Sequence, residues 1–222
     1  MTGRIEVYVE IAPKKTFACA LDWPGWARSG KDESLALAAL ADYAARYRPV
    51  VREAGLEFPP EVDVGDLDVV DRLDGSAGTD FGVPSHVASV DGRPVDETMA
   101  ARFAGIVGAA WATFDRVAAA APTELRKGPR GGGRDTPKVI AHVIESDQAY
   151  AREIGIRRKA FPPDDRTAVD DVRQQVLAVL RQPNDGSPLG GRRWPSRYAA
   201  RRIAWHALDH AWEIEDRSEP AG

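Results

Sequence analysis

The sequence contains a single cysteine, Cys19, in a chain of 222 residues. One thiol cannot form an intramolecular disulfide, so covalent cross-links do not contribute to the fold. Cys19 lies within the apolar run from Phe17 to Leu21, which predicts a buried side chain that packs as a small hydrophobic residue. Any thiol chemistry performed by the protein would therefore need a thiol supplied from outside the chain.

Long hydrophobic runs are also absent. Nowhere do about 18 apolar residues follow one another, as a membrane-spanning helix would require. Residues 1–11 alternate polar and apolar side chains and lack the basic flank and apolar stretch of a secretory signal. The sequence therefore predicts a cytoplasmic protein with no membrane partner.

The chain lacks an excess of positive charge, because its formal net charge is −4 and its isoelectric point is near 5.6. Proteins that bind duplex nucleic acid usually rely on a basic surface, so we expect no nucleic-acid partner. Hydrophobic residues make up 43% of the chain. At this length, that fraction can fill the core of one generous domain or two small ones.

The first 80 residues predict a small antiparallel sheet with one helix. Apolar and polar residues alternate in the period of a half-buried strand, and a Pro-Lys-Lys turn separates the first two candidates. Asp32 is a suitable N-cap for the helix, which we expect over residues 33–53. The clearest strands are expected over residues 5–11, 16–21 and 61–73.

The pattern changes after residue 80. Residues 81–95 are rich in glycine and proline and have little periodicity, which predicts a linker. Beyond them, apolar residues recur at helical spacing and predict helices over residues 96–121, 136–156, 167–181 and 196–217. We therefore expect an α+β protein with an α/β domain over residues 1–80 and an up-down four-helix bundle over residues 96–222.

Histidine is scarce, with only four in the chain. His206 and His210 are four residues apart in the last predicted helix, so both imidazoles project from one face, about 5–6 Å apart at Cβ. His142 lies on an otherwise apolar stripe of the second bundle helix, where a buried imidazole needs a partner. These three side chains are suitable ligands for one divalent metal ion. Glu213 follows His206 by seven residues and is a candidate fourth ligand or an acceptor for an imidazole N–H.

The histidines also have a structural interpretation. His-x-x-x-His pairs arise by chance on helices, and a carboxylate such as Glu145 or Asp209 could satisfy a histidine in the core. His86 lies in the predicted linker and is expected to be solvated. Trp205 and Trp212 are seven residues apart and are expected to pack along the seam of the bundle.

Residues 96–217 resemble the DinB/YfiT-like superfamily in three features. These are a Gly-rich loop, one histidine in the second bundle helix and a His-x-x-x-His pair in the last helix. This superfamily includes mycothiol-dependent maleylpyruvate isomerase and bacillithiol transferases. The resemblance implies that His142, His206 and His210 hold a divalent ion such as zinc, nickel or manganese, with water completing the site. The chain departs from the pattern in residues 131–136, which lack the tryptophan expected before the second helix.

Residues 3–73 resemble HicB-like antitoxin domains, through a hairpin, the segment Asp22-Trp23-Pro24-Gly25-Trp26 and a helix that opens near Lys31. Domains of that family recognise a partner, but no cognate toxin or DNA-binding tail is visible in this sequence. We expect the segment to serve in packing, in dimerisation or in shaping the mouth of the metal site. A homodimer is therefore a candidate assembly.

The DinB/YfiT resemblance implies a low-molecular-weight thiol S-transferase or isomerase, with a mycothiol-like cosubstrate, a small electrophile and His142, His206 and His210 as the catalytic centre. Arg202 is a candidate for holding an anionic substrate carboxylate, with a surface ion pair as the alternative. Tyr150 is a candidate acid or a core aromatic residue. Two other functions stay open: a metal-dependent hydrolase of thiol conjugates or amides, and a non-catalytic binding or scaffold protein with a vestigial site.

Overall fold

The structure is a computed structural model that describes residues 4–127 and 133–218, so Gly131 and Gly132 of the predicted Gly-rich loop lie outside the described residues. It is an α+β protein in which strands near the N-terminus are followed by helices. The strands are β1 (Ile5–Ile11), β2 (Thr16–Ala20), β3 (Ala27–Gly30) and β4 (Leu67–Asp74). The helices are α1 (Glu33–Asp42), α2 (Ala44–Glu53), α3 (Ala77–Phe81), α4 (Glu97–Ala120), α5 (Thr136–Glu153), α6 (Arg166–Leu180) and α7 (Ser196–Ser218). Within these ranges, no helix has both the length and the apolar character that crossing a bilayer demands.

The four strands form one mixed sheet in the order β3-β2-β1-β4. β1 and β2 pair antiparallel as a hairpin, with Val9 opposite Ala18. β4 pairs parallel to β1, with Val7 opposite Val69, so the prediction of an antiparallel sheet was wrong. A parallel neighbour needs a crossover of a dozen or more residues, and α1 and α2 supply it between β3 and β4.

The helix predicted over residues 33–53 is two helices that meet at Tyr43. Asp32 caps α1 as expected, because its side chain accepts a hydrogen bond from the Leu35 amide. At the junction, the Tyr43 ring contacts the guanidinium of Arg28 at 3.6 Å and the indole of Trp212 at 5.4 Å. We attribute the break to these tertiary contacts, which local helical spacing does not reveal.

Most of β1 is buried on both faces, although its alternation predicts a strand with one solvated face, whereas β4 at the edge keeps exposed positions. Val9 and Glu10, which point to opposite faces, are each 0% exposed. Glu10 accepts hydrogen bonds from the amides of Ser85 and His86, both at 3.1 Å. His86 Nδ1 lies 2.9 Å from the same carboxylate, while the His86 side chain is 36% exposed. The expected loop histidine is therefore partly exposed to solvent and also contacts Glu10. The segment predicted as a linker thus covers the sheet, and the proposed domain boundaries stay a prediction.

The four long helices begin and end close to the predicted positions. α4 packs on α6 and α7, and α5 packs on the same two helices. Trp205 of α7 contacts Phe17 of the sheet edge-on, with 6.3 Å between ring centroids, and Trp212 contacts Tyr43. The expectation of packing along a helical seam was therefore wrong for Trp205, which clusters with residues of the sheet, whereas Trp212 lies in the main core with residues of the long helices. α7 is buried on several faces because it contacts the N-terminal segment as well as the other helices.

Buried charges lie between α4, α5 and α6. Asp147 is 3% exposed and accepts hydrogen bonds from Trp111 Nε1 and Arg173 Nε, both at 3.1 Å. Arg173 also pairs with Asp115 at 2.8 Å. Burial raises the pKa of Asp147 to about 6, and the nearby Arg173 only partly opposes the rise.

We expect the titration of Asp147 to lower stability as the pH rises. The unfolded-state pKa is near 4, so the stabilising contribution is complete below about pH 4 and is lost as the pH rises through about 6. Asp147→Asn keeps the acceptor for Trp111 and removes the titration. Between pH 4 and pH 7, the free energy of unfolding of the wild type, measured with urea, should fall by on the order of 2 kcal/mol relative to that of this variant. If the free energy of unfolding changes with pH by the same amount in the wild type and in Asp147→Asn, the raised pKa is contradicted. Asp170→Asn, at an exposed position, is the control.

Candidate metal centre

Three histidines converge between α5 and α7. His142 projects from α5, while His206 and His210 lie one turn apart on α7. Nε2 of His142 and Nε2 of His206 are 3.2 Å apart, and one nitrogen from each of the three rings lies within 4.8 Å of the others. The ring centroids of His206 and His210 are 4.7 Å apart. The structure therefore brings together the three side chains that the sequence predicts to meet.

The shortest distance between the rings suits a single divalent ion. The nitrogen atoms of the three rings are up to 4.8 Å apart, which is more than two ligands of one ion can span, so the rings would move closer together on binding. Two imidazole nitrogens bound to a tetrahedral ion at about 2.0–2.1 Å would lie about 3.3 Å apart, close to the 3.2 Å between His142 and His206. Two neutral rings at this distance can also share one proton. The position of the third ring favours a metal ion over a shared proton. A proton shared by His142 and His206 does not require His210 to lie within 4.8 Å of both partners.

The surroundings favour neutral imidazoles. Burial lowers the pKa of His142, and repulsion from His210 and Arg134 adds to the effect. Burial lowers the pKa of His206 well below the usual range, with further contributions from His210 and Arg202. Only a neutral imidazole offers a lone pair to a metal ion. The protein thus holds these two rings in the form that binds metal.

Glu213 positions His210 and is not part of the histidine cluster itself. Its Oε2 lies 2.8 Å from His210 Nδ1, and its Oε1 accepts a hydrogen bond from Arg217 Nη1 at 2.8 Å. The hydrogen bond to His210 is the main cause that lowers the pKa of Glu213, so the group is a carboxylate at neutral pH. An N–H of His210 held in this way leaves Nε2 available as a ligand. Sequence reasoning missed Arg217, although its spacing of four from Glu213 is a recognisable signal.

Protein groups among the described residues do not supply a hydrogen-bond partner for every ring nitrogen of the histidine cluster. Asp209 pairs with Arg28 at 3.1 Å, and the polar partner of His142 among the described residues is His206 rather than Glu145. His206 is 6% exposed, and its Nδ1 has no hydrogen-bond partner within the described ranges. His142 and His206 face each other through Nε2 with no carboxylate between them, which fits a site completed by an ion and water better than a closed network of side chains. The orphaned Nδ1 lies on the other side of the His206 ring, away from His142.

Aromatic and cationic side chains border the cluster. The Tyr150 ring lies 5.5 Å from the His206 ring, and the Arg202 guanidinium lies 5.4 Å from the Tyr150 centroid. No carboxylate lies within ion-pair distance of Arg202 in the described part of the chain, so the surface ion pair weighed as an alternative is not found there. Burial raises the pKa of Tyr150, which keeps the phenol protonated at neutral pH. Trp194 packs on Tyr150 at 5.3 Å, and sequence reasoning missed it because it lies outside the helical repeat.

Glu213→Gln should weaken metal binding without removing a ligand. The amide preserves the shape of the side chain but loses the negative charge that orients the His210 ring. Loss of such a partner typically lowers metal affinity about 10- to 100-fold, which competition with a chromogenic chelator would measure. Glu215→Gln is the matched control, because Glu215 also lies on α7 but pairs with Arg46 of α2. Equal affinities for the two variants would contradict the role of Glu213.

No protein-family model, no curated protein and no solved structure matches this chain.

Proposed function

We propose that the protein is a divalent-metal-dependent enzyme of the DinB/YfiT type, a low-molecular-weight thiol S-transferase or isomerase that acts on a small electrophile. The convergence of His142, His206 and His210 within 4.8 Å carries this proposal. The resemblance of residues 96–217 to the superfamily supports the same reaction class. As part of it, we propose that α4 to α7 form an up-down four-helix bundle and that residues 1–80 form a HicB-like domain.

The chain's own residues have distinct tasks in this reaction. A divalent ion at the three imidazoles would supply Lewis acidity that lowers the pKa of a bound thiol or water. Glu213 fixes the orientation of the His210 ring from outside the cluster. Arg202, without a carboxylate partner among the described residues, can bind an anionic group of the substrate. Tyr150, protonated and beside His206, can hold or donate a proton near the reacting atoms.

A thiol-conjugation assay tests the proposed reaction. Tag-free protein loaded with zinc, nickel or manganese would be incubated with mycothiol and either monochlorobimane or maleylpyruvate. We expect thiol-dependent conversion that disappears in His142→Ala and persists in His86→Gln, the variant of the one histidine outside the cluster. With monochlorobimane, a carbon–sulfur bond forms and chloride and a proton leave, so fluorescence reports turnover directly.

The same assay separates the other two functions. Conversion of thiol conjugates or amides by the metal-loaded protein without added thiol would identify a hydrolase. An absence of turnover with every metal and electrophile, in protein that binds metal, would leave a binding or scaffold role. Either result would contradict the transferase proposal while the metal centre stands.

A further inference from the structure

An open groove with a volume of about 350 Å³ lies beside the C-terminal end of α5. The residues that line it are Arg152, Ile156, Arg157, Arg158, Lys159 and Arg192. Five of these six side chains are basic, and no aspartate or glutamate of the described chain lines the groove. The clustered histidines do not line it either, because Arg152 lies about 15 Å beyond His142 along the axis of α5. The groove is therefore separate from the candidate metal centre.

Most of the charge in this basic groove has no counter-charge in the described part of the chain. Arg158 pairs with Asp171 at 3.4 Å, and that carboxylate is 61% exposed. Glu153, the neighbour of Arg152 in sequence, pairs instead with Arg193 at 3.2 Å. The other four basic side chains of the groove make no ion pair with the described residues. Since the whole chain has a net charge of −4, the groove is a local concentration of positive charge on an acidic protein.

The backbone holds the two sides of the basic groove together. Gly155, after α5, and Gly190, before α7, have φ values of 89° and 55°. A Cβ built on Gly155 would lie 2.8 Å from the Cα of Gly190, so the two segments are in direct backbone contact. This contact brings Arg192 to the cations that follow α5. Like charges at short range repel one another, and a bound anion would relieve that repulsion.

The lining of the basic groove indicates the class of anion. Ile156 is the one apolar side chain among the lining residues, so a ligand with a large apolar body would bury little surface there. Guanidinium groups match the oxygens of a phosphoryl group with paired hydrogen bonds, and an ammonium group adds a point charge. A chain of phosphoryl groups can contact cations on both sides of the groove at once. We propose that the basic groove binds an oligophosphate, as a free inorganic chain or as the phosphate chain of a nucleotide.

Calorimetric titration of the full chain with sodium tripolyphosphate, in low-salt buffer without added metal, tests this site. We expect saturable binding that is about tenfold weaker in the double variant Arg157→Gln with Lys159→Gln, because each exposed ion pair contributes up to about fivefold. The matched control is Arg52→Gln with Arg181→Gln, which removes two exposed positive charges outside the groove. This control should bind tripolyphosphate as the wild type does.

Two further variants make the result independent of one pair of charges. Gly190→Ala should also weaken binding, because its Cβ would lie 2.6 Å from the Cα of Gly155 and would push the two sides of the groove apart. His142→Ala should bind as the wild type does, and loss of binding in it would place the anion at the histidine cluster instead. Thermal unfolding confirms that each variant is folded. The groove can thus fail or stand independently of the metal centre.

The choice of ligand separates the possible sources and the competing explanations. ATP that binds as tightly as tripolyphosphate would identify a nucleotide as a source, whereas a preference for tripolyphosphate would identify the free chain. Citrate or inorganic phosphate that binds as tightly as tripolyphosphate would contradict the choice of an oligophosphate. Tighter binding of a DNA duplex would overturn the proposal in favour of a nucleic-acid surface. No binding at millimolar tripolyphosphate, or equal binding by the wild type and the Arg157→Gln, Lys159→Gln variant, would contradict the site itself.

Discussion

Replacing His142 with alanine is expected to remove stoichiometric metal from the protein. Two ligands from a single helix would be left, and the link between α5 and α7 would be lost. Since loss of an outer partner of a ligand costs about 10- to 100-fold in affinity, loss of a ligand should cost more than about 100-fold. Elemental analysis of tag-free protein after dialysis against micromolar zinc would measure this change.

The His142→Ala variant should still fold. His142 is half-buried beside the apolar side chains of Val139 and Val143, so alanine introduces no uncompensated charge. In the presence of a chelator, the urea midpoints of the variant and the wild type should be similar. A folded variant that retains one metal ion per chain would exclude His142 as a ligand.

Asp91→Ala should cause the largest loss of stability of any single change considered. Asp91 is 0% exposed, and its Oδ2 accepts a hydrogen bond from Arg201 Nη2 at 2.8 Å and another from the Ala88 amide. Removing it leaves the guanidinium buried without a counter-charge, which costs about 3–5 kcal/mol. Urea unfolding at pH 7 would measure the change.

Two controls identify the cause of this loss. Glu33→Ala breaks an exposed ion pair with Arg72 and should lower the stability far less than Asp91→Ala does. The double variant Asp91→Ala with Arg201→Met removes both charges and should recover part of the stability. If Asp91→Ala costs no more than Glu33→Ala, the pair does not stabilise the packing of residues 88–92 against α7.

The long helices and the placing of His206 and His210 on one face could be predicted because local patterns determine them. The meeting of His142 with this pair, 64 residues away, was inferred from its place on an apolar stripe and from the resemblance to a family. A 3.6-residue apolar repeat identified α4 to α7, and the spacing of four placed His206 and His210 on one face of α7. The apolar run around Cys19 predicted its burial, and the side chain is 2% exposed. For the helices, the paired histidines of α7 and Cys19, neighbours within a few turns of the chain supply the deciding information.

The features that sequence reasoning missed depend on distant residues. Alternation in β4 is the same for a parallel and an antiparallel partner, so the direction of its pairing was not encoded locally. Glu10 has the polar character of a solvated position, yet its hydrogen-bond partners come from residues more than 60 positions away. Trp205 and Trp212 contact the sheet and the α1–α2 junction because α7 is covered on several sides.

An anomalous-scattering map from crystals of tag-free, zinc-supplemented protein, collected at the zinc edge, tests the metal centre most directly. We predict one strong peak between α5 and α7, about 2.0–2.1 Å from a nitrogen of each of His142, His206 and His210. A map without that peak, with the three rings turned apart or bonded to carboxylates, would contradict the centre and the chemistry proposed for it.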